Sequence, residues 1–148
     1  HGAPEPSAAG ELLEGRCVLI IDDDDAVREA VRGQLQQWGM KVLLAADEAA
    51  AFAAFEQPAP PHAVLCDLRL AEGVSGLDLA QRLLQRYPVP AAIVTGETTA
   101  EHIQAVREAG LALLTKPVRP ARLRAQLEAM LGAAAAGDLD LNVRAMAS

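Results

Sequence analysis

Cys17-Val18-Leu19-Ile20-Ile21-Asp22-Asp23-Asp24-Asp25 sets five apolar residues directly against four aspartates. A short apolar run bounded by charge reads as a buried strand of a parallel sheet. Three later stretches repeat the arrangement. Ala63-Val64-Leu65-Cys66 runs into Asp67, Ala91-Ala92-Ile93-Val94 into Thr95-Gly96, and Leu111-Ala112-Leu113-Leu114 into Thr115-Lys116-Pro117. In an open parallel sheet, ligands bind outside the carboxyl ends of the strands. These strand ends would bring three carboxylates, a hydroxyl and a lysine to one edge. That set suits a divalent cation and a phosphoryl group.

The segments between the strands carry helical periodicity. Val27, Ala30, Val31, Leu35 and Trp38 fall on one helical face that Gly39 stops. Lys41–Ala46 reads as a further strand, and Asp47 as the N-cap of an Ala-rich helix that ends before Pro58. Leu77, Ala80, Leu83, Leu84 and Tyr87 mark a helix ending before Pro88. Thr99 can cap a helix carrying Ile103 and Val106 and ending at Gly110. Pro120 suits the first turn of a last helix whose apolar face is Leu123, Leu127, Met130 and Leu131. Five β/α units with right-handed crossovers predict a doubly wound α/β domain over residues 16–132. Residues 1–15 read as a linker or a cloning remnant, with a weak helical turn near Glu11–Glu14. Residues 133–148 read as an Ala-rich tail without fixed structure, able to add a turn or two to the last helix.

Composition narrows the function. The chain has 148 residues, is 51% hydrophobic and only 3% aromatic, so its core must be built from Leu, Val, Ile and Ala. A net charge of −7 without a dense Lys/Arg cluster argues against direct nucleic-acid binding. No apolar run approaches the roughly 20 residues needed to span a bilayer, and no secretory leader opens the chain. Cys17 and Cys66 would lie at opposite ends of neighbouring strands, too far apart for a disulfide, and read as buried thiols of a reducing compartment.

Each candidate also has an ordinary explanation. Four aspartates can line a helix N-terminus, where acids complement the dipole, and Asp24 and Asp25 are expected to begin the helix. Asp67 could cap a turn, Thr95 could satisfy backbone groups, and Lys116 could be a surface lysine. Four such coincidences at the ends of four strands are improbable together. Crowded carboxylates at Asp22 and Asp23 would be relieved by bound Mg²⁺, beside which Asp67 could act as a nucleophile. His62 and His102 have no metal-ligand spacing. Gly73 and Gly76 do not form a dinucleotide-binding pattern.

Val18–Asp24, Leu65-Cys66-Asp67-Leu68-Arg69-Leu70, Val94-Thr95-Gly96 and Thr115-Lys116-Pro117 resemble the motifs of two-component response-regulator receiver domains, in order and spacing, across residues 16–132. The resemblance implies a flavodoxin-like five-stranded parallel sheet of order 2-1-3-4-5 with five helices. It implies that Asp22 and Asp23 hold Mg²⁺, or Mn²⁺ in its place, with Asp23 the more direct ligand. Asp67 would be the phosphoacceptor and a metal ligand, and the backbone carbonyl of Arg69 would complete the protein ligands. Thr95 and Lys116 would bind the phosphoryl group, and the Lys116–Pro117 peptide would be cis. Glu97 and the Arg69 side chain would tune the lifetime of the phosphoryl group.

Three departures stand out. Leu113 occupies the position of the usual switch aromatic, so the usual rotamer change coupled to Thr95 is unavailable. Asp25 replaces a common proline. The loop from Asp67 to Gly76 is one residue longer than in the simplest members and lacks a proline at Ala71. The ending Leu113–Arg124 resembles receivers fused behind sensor histidine kinases. The implied partners are therefore a sensor histidine kinase, in the same chain or another, and a histidine phosphotransfer protein. The implied location is the cytoplasm, or tethering to a membrane through a kinase portion. The implied chemistry is self-phosphorylation and autodephosphorylation. Two rivals remain. One is a small phosphatase of the haloacid-dehalogenase type, whose opening motif Asp22-x-Asp24 mimics. The other is a degenerate receiver acting only as an interaction module.

Overall fold

Alternation of buried strands and amphipathic helices is what the chain adopts. The computed structural model describes residues 12–96 and 99–135. In chain order these hold β1 (Cys17–Ile21), α1 (Asp25–Gln37), β2 (Lys41–Ala45), α2 (Glu48–Phe55), β3 (Ala63–Asp67), α3 (Gly76–Arg86), β4 (Ala91–Thr95), α4 (Ala100–Glu108), β5 (Ala112–Thr115) and α5 (Pro120–Ala135). All strand pairs are parallel, in the order β2-β1-β3-β4-β5. This is the flavodoxin-like arrangement, with β3 at its centre between β1 and β4.

Side-chain chemistry sets the helix starts. Asp24 accepts hydrogen bonds from the amides of Ala26 and Val27 at α1, and Asp47 from that of Ala50 at α2. Ser75 accepts from the Asp78 amide at α3, and Thr99 from that of His102 at α4. Each cap satisfies amides that have no partner within the helix. Gly39 and Gly110, at φ +81° and +77°, follow α1 and α4 in the left-handed conformation that ends helices.

Strand residues alternate between two layers. Leu19 and Ile21 of β1 face Ala51, Ala54 and Phe55 of α2, Leu79 and Leu83 of α3, and Val106 of α4. Val18 and Ile20 face Leu35 of α1 and Leu123, Leu127, Met130 and Leu131 of α5. Cys17 and Cys66 are both buried and unpaired. Ile21 is the register partner of Cys66, which puts the thiols at opposite ends of the pair, as the sequence reading expects.

Several details differ from that reading. Ala30 is exposed, because the buried stripe of α1 narrows to Leu35 with Val27, Val31 and Trp38 half-buried. β2 ends at Ala45 and α3 starts at Gly76, while α5 runs on to Ala135, within the turn or two of extension that the sequence reading allows. Leu13, placed in the leading linker by its sequence surroundings, is fully buried in the α1/α5 layer. A Cβ on Gly132 would lie 3.4 Å from Leu12. The backbone there is tied down by Gly15 N–H donating to the Gly39 carbonyl and Lys41 N–H to that of Arg16, each at 2.8 Å. Among the described residues no helix is long and apolar enough to cross a membrane. The remainder of the leading segment and the tail beyond 135 lie outside the described residues.

Candidate functional site

Four strand ends build one pocket. Asp22 follows β1, Asp67 closes β3, Thr95 closes β4 and Lys116 follows β5. Thr95 and Thr115 are register partners, and Lys116 N–H donates to the Thr95 carbonyl at 2.8 Å, which levels the β4 and β5 ends. The Lys116 Nζ then lies 3.2 Å from Asp67 Oδ2 and 3.5 Å from Asp22 Oδ2. One oxygen from each of Asp22, Asp23 and Asp67 falls within 4.8 Å of the others. Thr95 is 2% exposed.

The four consecutive aspartates divide the work. Asp22 is buried and accepts from the Asp24 amide at 2.9 Å through Oδ1, leaving Oδ2 toward Lys116. Asp24 caps α1, which takes it away from the pocket. Asp25 pairs with Arg28 of its own helix. Asp23 is exposed, and among the described residues its carboxylate has no hydrogen-bond or ion-pair partner while it faces the other two acids. The sequence reading places Asp24 and Asp25 at the start of the helix, as found, and Asp22 and Asp23 apart from them.

Asp67 is held from below. The Arg69 amide donates to its Oδ1 at 3.4 Å, and a bridge between Arg69 and Ser75 closes the loop that follows. A 3-10 turn at Ala71–Gly73 fills the extra residue, with Glu72 and Gly73 both at positive φ. Gly76 packs against the back of Asp67. Its amide donates to the Leu68 carbonyl at 2.6 Å, and a Cβ there would lie 1.7 Å from the Asp67 carbonyl oxygen. Cys66 Sγ lies 3.4 Å from each of the Asp67 and Gly76 carbonyl oxygens.

Charge and burial oppose one another here. Burial raises the Asp67 pKa above the usual carboxylate range. Lys116 offsets part of that rise, while Asp22 adds to it. Burial pushes Lys116 down, but Asp67 and Asp22 together outweigh it and hold its ammonium above its ordinary value. Burial, followed by the charges of Asp67 and Asp22, pushes the Cys66 thiol far up, so it stays protonated and inert. Three carboxylates thus face one ammonium. This hard-oxygen set with an unpartnered carboxylate fits a divalent cation of the Mg²⁺ or Mn²⁺ kind.

The structure brings Asp22, Asp23, Asp67 and Lys116 together, with Thr95 buried beside them and Arg69 in the loop below. The Lys116–Pro117 bond is cis. Glu97 lies outside the described residues. Sequence reasoning missed Arg28, whose guanidinium reaches back to the Asp22 carbonyl, and the close approach at Gly76. A glycine opening a helix and an arginine in a first turn were the available signals.

A doubly wound parallel sheet with three carboxylates and a lysine gathered at its carboxyl edge is the architecture of a receiver domain. Residues 18–128 match the response regulator receiver domain family, and the chain belongs to it. It is 30% identical over 130 residues to the phosphate regulon transcriptional regulatory protein PhoB of Pseudomonas aeruginosa, covering 85% of this chain and 56% of that protein. It is 35% identical over 126 residues to the transcriptional regulatory protein FixJ of Azorhizobium caulinodans, covering 84% and 59%. The receiver domain protein (CheY-like) of Methanospirillum hungatei JF-1 superposes with a TM-score of 0.70 at 25% identity, covering 88% of this chain and 98% of that one. The chain therefore spans little more than half the length of these two curated relatives. Family membership disfavours the haloacid-dehalogenase reading, and Asp24, the second acid of that motif, is spent on the α1 cap.

Proposed function

We propose that the chain accepts a phosphoryl group on Asp67 from a kinase phosphohistidine and acts as a conformational switch or relay intermediate. The observation that carries this reading is the Asp67 carboxylate, set between Lys116 and two further acids at the end of a central strand. An Asp67 carboxylate oxygen attacks phosphorus in line. The P–N bond to the histidine breaks, its electron pair stays on the imidazole, and an acyl phosphate forms on Asp67. Asp22, Asp23 and Asp67, with the Arg69 carbonyl, would hold the divalent cation. When bound, that ion neutralises charge on the phosphoryl oxygens. Lys116, freed from Asp67 Oδ2, pairs with a phosphoryl oxygen, and the Thr95 hydroxyl donates to another.

The proposed partners are a sensor histidine kinase, fused to this chain or separate, and a histidine phosphotransfer protein. Placement behind a kinase in a hybrid protein is supported by the Leu113–Arg124 pattern, and the cytoplasm follows as the compartment. Output runs by population shift at the α4–β5–α5 face. Leu113 is half-buried against the α2/α3/α4 layer, so the response passes through Thr95 and the repacking of α4 rather than an aromatic rotamer. Intact-mass measurement after incubation with acetyl phosphate tests the reading. A gain of one phosphoryl group that requires Mg²⁺ and is reduced in Asp23→Asn supports it. No gain with acetyl phosphate or with phosphorylated kinases would leave only the degenerate interaction module.

A further inference from the structure

Arg28 stands where a cation is poorly placed. It is the fourth residue of α1, and the positive end of a helix disfavours positive charge. It also sits beside a pocket proposed to bind a divalent cation, which its own charge would repel. Even so, its side chain is only 16% exposed. The guanidinium folds back across the β1–α1 loop, where Nη1 donates to the backbone carbonyl of Asp22 and Nη2 pairs with the Asp25 carboxylate. Its backbone amide closes the first helical turn on the Asp24 carbonyl at 3.0 Å. One planar side chain thus spans the loop from the last residue before the free carboxylate to the first residue of the helix.

We propose that Arg28 is a positioning residue for the cation pocket. Its guanidinium locks the Asp22 carbonyl to the start of α1, so that the Asp22 and Asp23 carboxylates are presented together. This rests on the cation-binding reading above. The clamp and the charge act in opposite directions, which makes the inference testable by sign. If Arg28 acted only as a charge, removing it would tighten cation binding. If it acts as a clamp, removing it loosens the loop and weakens binding. Outer-shell partners of metal ligands are typically worth about 10–100-fold in affinity, and Arg28 is expected at the lower end, about tenfold.

The experiment is a Mn²⁺ titration of the 148-residue chain, followed by the electron paramagnetic resonance signal of the free ion and repeated with Mg²⁺ as competitor. Thermal melts by circular dichroism accompany each variant. Arg28→Ala should bind about tenfold more weakly than wild type. Arg28→Gln keeps a planar amide donor without the charge, and Arg28→Lys keeps the charge with a single point donor. Both should fall between Ala and wild type. Wild-type binding with Ala and Gln equal to each other, and as tight as wild type or tighter, would overturn the clamp alone. Absence of Mn²⁺ binding by the wild type would overturn the cation-pocket reading, and the clamp with it. If Arg28→Ala fails to fold, Gln against wild type decides the sign.

Discussion

Gly76→Ala is a substitution that helix propensity alone would favour, since alanine in a helix is about 1 kcal/mol better than glycine. The structure predicts the opposite. The new Cβ would lie 1.7 Å from the Asp67 carbonyl oxygen, 2.8 Å from its carbonyl carbon and 3.1 Å from Cys66 Sγ. Two of these atoms are backbone of a central strand and cannot swing aside. Restoring an ordinary 3.4 Å contact needs a shift of about 1.7 Å between the start of α3 and the end of β3. Such a shift also breaks the hydrogen bond that the Gly76 N–H donates to the Leu68 carbonyl. Overpacking costs about 1–3 kcal/mol, and the orphaned hydrogen-bonding groups add about 1–3 kcal/mol. Set against the gain of about 1 kcal/mol in helix propensity, these two terms leave a net loss of about 1–5 kcal/mol. Because Asp67 itself is displaced, labelling by acetyl phosphate should slow by about 100-fold, the effect of ångström-scale misplacement. Urea denaturation and timed intact-mass labelling read the two effects. Gly33→Ala is the control, since Gly33 is exposed in mid-α1 with nothing within 4 Å of a Cβ, and it should gain up to about 1 kcal/mol. A Gly76→Ala protein as stable as wild type and labelled at the same rate would refute the reasoning.

Other perturbations separate charge, packing and protonation. Lys116→Met removes the cation facing Asp22 and Asp67, so the labelling rate should fall about 10²–10³-fold while cation binding is kept or tightened; an unchanged rate would remove Lys116 from the chemistry. Leu127→Ala empties a fully buried position in the α1/α5 layer and should cost about 2–5 kcal/mol in urea denaturation, a smaller loss showing that the layer collapses around it. His62 accepts the Cys17 amide on Nδ1 at 2.9 Å, and burial first, then Arg16, hold its imidazole below its ordinary value. The unfolded chain therefore takes up a proton first as pH falls below about 6.5, and stability is lost between that pH and the lower folded-state pKa. His62→Asn should lose less of its urea midpoint between neutral pH and about pH 5 than wild type; equal losses would discount this histidine.

The strands and the chemistry of their ends were legible because each functional group follows an apolar run that can only be a buried strand. Asp22, Asp67, Thr95 and Lys116 needed no more than that placement. The caps at Asp47 and Thr99 were equally local. Features that depend on how loops fold back were not legible. Arg28 reads as one more charge on an exposed helix until its guanidinium is seen on the Asp22 carbonyl. Gly76 reads as loop punctuation until its distance to Asp67 is known. Ala30 fits the helical stripe by spacing, yet it is exposed, and Leu35 is the one fully buried residue of α1. Leu13 carries no periodicity, and its burial in one cluster with Leu35, Leu127 and Leu131 depends on tertiary packing.

The most direct test is to locate the phosphoryl group. After incubation with acetyl phosphate and Mg²⁺, borohydride reduction converts an aspartyl phosphate to homoserine, and peptide mass mapping reads its position. Homoserine at position 67, and none in Asp67→Asn, is the predicted result. Homoserine at Asp22, the nucleophile position of the haloacid-dehalogenase pattern, or label persisting in Asp67→Asn, would contradict the account.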